Sequence, residues 1–284
     1  MIFYLYKVAA SPGDRNQLTS NIYIPPTEHF KNVFHSIWQT EGIPAFHTEH
    51  IIPKGIVEII FNFSDGTPII ASLNRKQFYL SKCFINGYNS VSLRIDLPAQ
   101  QTFFGIQFHP LAIKKILKVP AREFTDVVVD MTLIDSLFNS LWHQLAELNF
   151  NERVTVICNW LENKLPRFES QEKMVNNFLS GIHQHDITVK ELANSLCYSS
   201  RHLSRKMIEA TGLNTEEILL YKKYLHAVHL IHHTDLALTK IAYQSHFSDQ
   251  SHFIKAFKTF TGMTPGEYRA GKGYVKGHLY KDVR

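Results

Sequence analysis

Residues 187–207 read ITVKELANSLCYSSRHLSRKM and residues 237–257 read ALTKIAYQSHFSDQSHFIKAF. An offset of 49 places Leu192 on Ile241, Ala193 on Ala242, Tyr198 on Phe247 and Ser199 on Ser248. One inserted residue in the second stretch makes the offset 50. Leu203 then meets Phe253, Arg205 meets Lys255, Met207 meets Phe257, and Thr211-Gly212 meets Thr261-Gly262. Matched apolar positions over such a span mark a duplicated unit, and a duplicated unit implies a duplicated task.

Each copy suits two short helices joined by a turn. Thr188 and Thr239 are expected to cap the first helix by accepting a backbone N–H bond, and Ser199 and Ser248 the second. Thr188 and Glu191 have capping-box spacing, which the second copy lacks. Ala193 and Ala242 are small where two helices would cross closely. Tyr198 and Phe247, with the i, i+4 pairs Leu203/Met207 and Phe253/Phe257, would fill the wedge between helices. What stays outward is polar: Arg201, Ser204 and Arg205 in one copy, Gln250, Ser251, His252 and Lys255 in the other. A DNA major groove admits one helix, and such side chains can bond base edges. A single long helix from Thr215 to about His232 would put both second helices on one side, within reach of successive grooves about 34 Å apart. A bland all-α bundle explains any one exposed Arg or Gln; it does not explain the repeat.

Charge points the same way. Residues 176–284 hold 14 Lys and Arg against 9 Asp and Glu, whereas residues 1–175 hold 16 of each, so the whole net charge of +5 lies in the last part of the chain. A neutral module joined to a basic one suits contact with a polyanion. The 284 residues suffice for about two domains. No stretch approaches the ~20 apolar residues of a membrane span. The opening MIFYLYKVAASPGD lacks a basic leader and reads as a β-strand rather than a signal peptide. Cys83, Cys158 and Cys197 are odd in number and far apart, which suggests neither a disulfide framework nor a metal site and fits a reducing cytoplasm.

Outward from the repeat, residues 1 to about 110 look β-rich. Ile2–Tyr6, Ile56–Phe63 and Thr102–Phe108 are rich in β-branched and aromatic residues, with turn signals at Pro53-Lys54-Gly55, Ser64–Pro68 and Asn86-Gly87. Leu111, Ile113, Ile116 and Leu117 suit a short helix. Leu133, Leu137, Leu141, Leu145 and Leu148 make one apolar stripe, a candidate seam for pairing two chains. Val154, Ile157, Trp160, Leu161 and Leu165 form a second helix, ended by Pro166. Residues 166–172 then read as a linker and 271–284 as a flexible basic tail. His47-Thr48-Glu49-His50 invites a metal reading, but on a strand the two histidines face opposite ways, and exposed loop residues are the better account. His226, His229, His232 and His233 read as a solvated helix face over a stripe of Leu225, Val228 and Ile231. A pH or metal switch there is the rarer alternative.

Beside this reading stands a resemblance. Ile241-Ala242, His246–Phe253, Phe257-Lys258 and Thr261–Arg269 resemble the signature of the AraC/XylS family of bacterial regulators, and the likeness runs over about residues 172–270. It implies an all-α domain of seven helices in two subdomains at 173–270. It also implies base contacts from Arg201, Ser204, Arg205, Gln250, Ser251, His252 and Lys255. Thr188, Lys206, Thr239, Lys240 and Lys258 are assigned to phosphates. His246 departs from the family, which usually has Gly in that turn, a position that often needs positive φ; Cys197 fills the matching place. Lys54–Asn62, Gly105–Pro110, Val119–Asp126 and Glu152–Leu165 resemble AraC-type sensor domains, which implies a cupin-like β-domain with flanking helices over 1–165. The fold class is therefore α+β. The expected function is a sequence-specific transcription regulator, an activator by family habit, with double-stranded DNA, RNA polymerase, a small-molecule effector and a second copy of the chain as partners. No catalytic residues, cofactor or membrane contact are expected. The alternatives are a cupin-type metal enzyme with an accessory helical domain and a helical protein-interaction module.

Overall fold

The computed structural model describes residues 18–64, 68–164, 167–181, 186–273 and 275–283. The strand expected at Ile2–Tyr6, the turn residues 65–67 and the helix-ending Pro166 lie outside them.

Period-two alternation builds the N-terminal module. Its strands are β1 (Thr19–Tyr23), β2 (Phe34–Gly42), β3 (Phe46–Ile51), β4 (Val57–Asn62), β5 (Ile70–Leu73), β6 (Lys76–Tyr79), β7 (Cys83–Asn86), β8 (Leu93–Asp96), β9 (Gln101–Phe108) and β10 (Val128–Asp130), with a short helix α1 (Glu28–Lys31) after β1. Along β4, Val57, Ile59 and Phe61 enter one core while Ile60 enters another; β7 and β9 split likewise. Side chains on successive strand residues point to opposite faces, so these strands are apolar on both sides because both faces are covered. The sheets are a six-stranded one, ordered β1-β2-β9-β4-β7-β10, and a five-stranded one that includes β3-β8-β5-β6, every pair antiparallel. The smaller sheet covers one face of the larger. Gly105 on β9 lies where a Cβ would come within 2.5 Å of the Trp38 ring, which is why a strand interior tolerates glycine there.

Helices cover the other face. They are α2 (Pro110–Leu117), α3 (Leu137–Ala146) and α4 (Phe150–Glu162), with 3₁₀ turns at Ala121–Phe124 and Met131–Leu133. Ile113, Leu141, Leu145, Ile157 and Leu161 are all buried against the sheet. This corrects the leucine stripe. Leu133 lies in a separate 3₁₀ turn, 82 % exposed, Leu137 and Leu148 are half-buried, and only Leu141 and Leu145 are buried inside the chain. Arg153, buried in α4, donates to Leu145 O and Ala146 O and so closes the end of α3.

Seven helices follow: α5 (Ser170–Ser180), α6 (Val189–Ser195), α7 (Ser200–Thr211), α8 (Thr215–His233), α9 (Leu238–Gln244), α10 (Gln250–Thr261) and α11 (Pro265–Gly271). The expected linker is thus shorter than 166–172, since Ser170 and Gln171 already belong to α5, where Glu169 and Glu172 close a capping box. His226, His229 and His232 are half-buried rather than solvated. The residues read as a flexible tail are also corrected. His278–Val283 is strand β11, paired antiparallel with β3 and completing the five-stranded sheet as its edge. Alternation explains it: Leu279 is buried and Tyr280 stacks on Phe46. His47–His50 therefore sit within a sheet, not an exposed loop.

One hydrophobic core runs through both modules. The long helix α8 places Tyr221 and Tyr224, i and i+3, against the β-module. Tyr221 Oη donates to Asn89 O at 2.9 Å and accepts from Gly55 N–H at 3.0 Å, and Tyr224 Oη donates to Pro53 O at 3.0 Å.

Candidate nucleic-acid interface

The repeat is faithful in backbone detail. In each unit the first helix spans seven residues and the second twelve. The turn residue between them is left-handed in both, Cys197 at φ +57° and His246 at φ +58°. Tyr198 N–H donates to Ala193 O and Phe247 N–H to Ala242 O, closing equivalent turns. Both second helices end on left-handed glycines, Gly212 and Gly262, where L side chains are strained. Thr211 and Thr261 bridge back to Met207 O and Phe257 O. Capping boxes then start the next helices, from Asn214 with Glu217 and from Thr264 with Glu267. The likeness thus extends to Glu267, beyond the matches read from the sequence.

Two capping expectations fail, both in the second copy. Ala237, not Thr239, is the N-cap of α9, because the offset of 49 brings Thr188 onto Ala237; Thr239 lies inside the helix. Asp249, not Ser248, caps α10, its carboxylate accepting from His252 N–H at 2.8 Å. The inserted residue of the second copy moves the cap by one position. Ser248 instead bonds Asp249 and the Nδ1 of His252, which holds that ring across the start of the helix. The first copy behaves as expected: Ser199 accepts from His202 N–H, and Thr188 and Glu191 form a full capping box. The bonds from backbone amides keep the Glu191, Asp249 and Glu267 carboxyls below their usual range.

Among the residues assigned to bases, Arg201 and Arg205 on α7 and Gln250, Ser251, His252 and Lys255 on α10 are exposed, and Ser204 is half-buried. Behind them, Leu203, Met207, Phe253 and Phe257 are fully buried, as the i, i+4 spacing requires. Among the residues assigned to phosphates, Thr239, Lys240 and Lys258 are exposed and Lys206 half-buried. Thr188 is exposed, but its hydroxyl is already engaged with Glu191.

The sequence reading missed the β-module's hold on both units. Thr125 Oγ1 donates to Thr211 O, and Ser92 Oγ donates to Thr261 O, which are equivalent carbonyls of the two repeats. Also missed was a cavity of about 240 Å³ between the modules. Lys54 and Gln107 line it from the β-module, Lys222 and Val228 from α8, and Lys276 from the approach to β11. Lys222 is buried, its ammonium held by Leu179 O and Gly181 O, and burial lowers its pKa to about 8. Lys276, at the exposed rim, is lowered by partial desolvation and by the Lys54 charge. One of two adjacent lysines in the middle of α8 gives no sequence sign of such a site.

Two matched helix–turn–helix units bridged by one helix define a tandem helix-turn-helix domain. A family model described as a helix-turn-helix domain matches residues 192–271, and a second, a domain of unknown function (DUF6597), matches residues 23–130. The C-terminal region thus carries a helix-turn-helix domain. Curated relatives include an uncharacterised HTH-type transcriptional regulator of Staphylococcus aureus (strain MSSA476), 27 % identical over 132 residues, or 46 % of this chain and 15 % of that protein. Another is the HTH-type transcriptional activator RhaS of Enterobacter sp. (strain 638), 27 % identical over 139 residues, or 47 % of this chain and 49 % of RhaS. The chain thus spans half or less of the relatives it matches. Among solved structures, ToxT of Vibrio cholerae is similar over 89 % of this chain and 98 % of its own, at 14 % identity and a TM-score of 0.46. The DNA-binding domain of AdpA, solved in complex with a target DNA, is similar over 36 % of this chain and 92 % of its own, at 23 % identity and a TM-score of 0.33.

Proposed function

We propose that this chain is a sequence-specific DNA-binding transcription regulator that seats α7 and α10 in successive major grooves. The carrying observation is the repeated unit, whose equivalent helices expose Arg201 and Arg205 in the first copy and Gln250, Ser251, His252 and Lys255 in the second. The helix-turn-helix match and the regulator relatives favour this reading over a metal enzyme. In it, Arg201, Arg205 and Lys255 bond base edges, with Ser204, Gln250, Ser251 and His252 beside them. Lys206, Lys240 and Lys258, with Thr188 and Thr239, face the backbone. No described helix is long and apolar enough to cross a membrane; the cytoplasm is the location we assign to a protein that acts on DNA. Activation, through contact with RNA polymerase, is the outcome we assign by analogy with RhaS. Pairing of two chains through α3 and α4 stays part of this reading, though not by way of Leu141 and Leu145, which are buried within one chain.

Fluorescence anisotropy with DNA from around the protein's own gene, against an unrelated duplex and across a salt series, tests the reading. Selective binding that weakens steeply with salt is expected. Arg201→Ala and Lys255→Ala are each expected to cost about 1–3 kcal/mol at the preferred site and less elsewhere. Equal loss on every sequence would reassign them to phosphates.

Regulation, in this reading, passes through the β-module, because it holds Thr211 O and Thr261 O together. A ligand in the cavity between modules would touch both, and the ammonium groups of Lys222 and Lys276, which have no acidic partner among the described residues, favour an acid, Lys54 being already paired with Glu58. Thermal melts with a panel of small carboxylates and phosphates are expected to raise the Tm with at least one of them, and Lys222→Met to abolish that rise. A rise that survives in Lys222→Met would place the ligand elsewhere.

A further inference from the structure

The first recognition helix does not face solvent alone. Beside it opens a concavity of about 800 Å³, lined by Arg201, Ser204, Arg205 and Lys206 of α7 and, from the β-module, by Arg122. The acid on this wall, Glu209, is paired with Lys114, so the surface that remains is cationic. Arg122 sits on the 3₁₀ turn Ala121–Phe124. Ala121 and Phe124 anchor that turn in the core, and the next residue, Thr125, bonds the end of α7. The guanidinium is therefore carried on a rigid mount fixed to the recognition helix. Its Nε bonds Glu123, both side chains being half exposed, and its two terminal nitrogens make no hydrogen bond among the described residues.

A helix lying in a major groove about 12 Å wide is flanked on both sides by sugar-phosphate backbone. A cation on the shoulder of that helix meets phosphates, not bases. We infer that Arg122 contacts a DNA phosphate beside the first recognition helix, so that the DNA-binding surface includes the β-module. This inference rests on the regulator reading above. It has a regulatory consequence: any shift of the β-module relative to α7 also moves a DNA contact.

The test is the salt dependence of binding by the full chain to a random-sequence duplex. Losing one phosphate contact lowers the slope of log K against log [salt] by about 0.9. Arg122→Ala and Arg122→Gln are both expected to show this fall with melting temperatures like the parent's. Arg122→Lys is expected to keep the slope. Arg94→Ala, on strand β8 and 58 % exposed beside Asp96, should leave it unchanged. If the parent chain binds with a steep slope and Arg122→Ala keeps that slope, the inference is overturned while the regulator reading stands. If the parent itself shows no salt-dependent binding, the regulator reading falls and this inference with it.

Discussion

Lys54→Ala is expected to destabilise the protein by about 3–5 kcal/mol at pH 7, because it leaves a buried carboxylate without its cation. Glu58 lies on the face of β4 that looks toward the second sheet and is 3 % exposed. Lys54 Nζ stands 3.2 Å from it, and Trp38 and Gln107 each donate a hydrogen bond to the same carboxylate. Burial alone would raise the Glu58 pKa; the Lys54 charge and the bonds from Gln107 and Lys54 outweigh it and hold the carboxyl below its usual range. Glu49 on β3 is held down in the same way, against its burial, by His278 and Lys54. His278 Nδ1 lies 2.6 Å from Glu49 and its Nε2 lies 3.5 Å from Lys54. A carboxyl lowered by folding contributes stability above its unfolded value of about 4.3, and that contribution is lost as pH falls through the folded value. Without Lys54, Glu58 is expected to take up a proton in mildly acidic solution. The deficit of Lys54→Ala should then be largest near neutrality and shrink below about pH 4. Urea titrations of parent and variant at both pH values would measure it. A deficit that stays the same at pH 4 and pH 7 would mean that lost packing, not charge, explains the effect.

This network also shows where the sequence could be read and where it could not. The repeat was legible because each unit is local: turn, wedge residues and caps all fall within about 25 residues, and short-range pattern is what sequence reading resolves. The left-handed turn at His246 was expected only from the resemblance, which usually has Gly in that place. The second copy misled at its caps: the offset of 49 sets Ala237, not Thr239, in the place of Thr188, and the extra residue moves the second cap to Asp249. The β-module was legible as strands, since Ile56–Phe63 and Thr102–Phe108 carry their own periodicity. Its partners were not. Glu49 and His278 are 229 residues apart, and Thr125 reaches Thr211 across 86. Nothing in a Gly-rich basic ending announces an edge strand, because alternation over His278–Val283 is too short to stand against the glycines before it. The leucine stripe was a true helix face over Leu141 and Leu145, but periodicity alone does not tell burial within a chain from burial between chains. Arg122 and Lys222 were invisible for a plainer reason: a single cation acquires a role only from what the fold sets beside it.

Tyr221→Phe removes one oxygen and is expected to cost roughly 1–3 kcal/mol for each of the two buried backbone groups it strands, Gly55 N–H and Asn89 C=O. The ring stays, so no cavity forms. Tyr221 is fully buried, in ring contact with Tyr88, Tyr224 and Phe260, and this leaves water no easy route to the orphaned groups. Burial also pushes its phenol well above the usual tyrosine range, so the hydroxyl is a donor at neutral pH. Tyr224→Phe strands only Pro53 C=O and should cost about half as much. The consequence for function is larger than the energy. These bonds tie the helix bridging the two helix-turn-helix units to the turn that carries Lys54 and Gly55, so weakening them loosens the frame that holds α7 and α10 together. Chemical denaturation of the parent is expected to give one cooperative transition, because one core spans both modules. In Tyr221→Phe, the transition moves to lower denaturant and the affinity for the preferred DNA falls, while the salt slope persists. Loss of stability below about 0.5 kcal/mol, with DNA binding unchanged, would mean that the modules are held by apolar contact alone and that the tyrosine bonds transmit nothing.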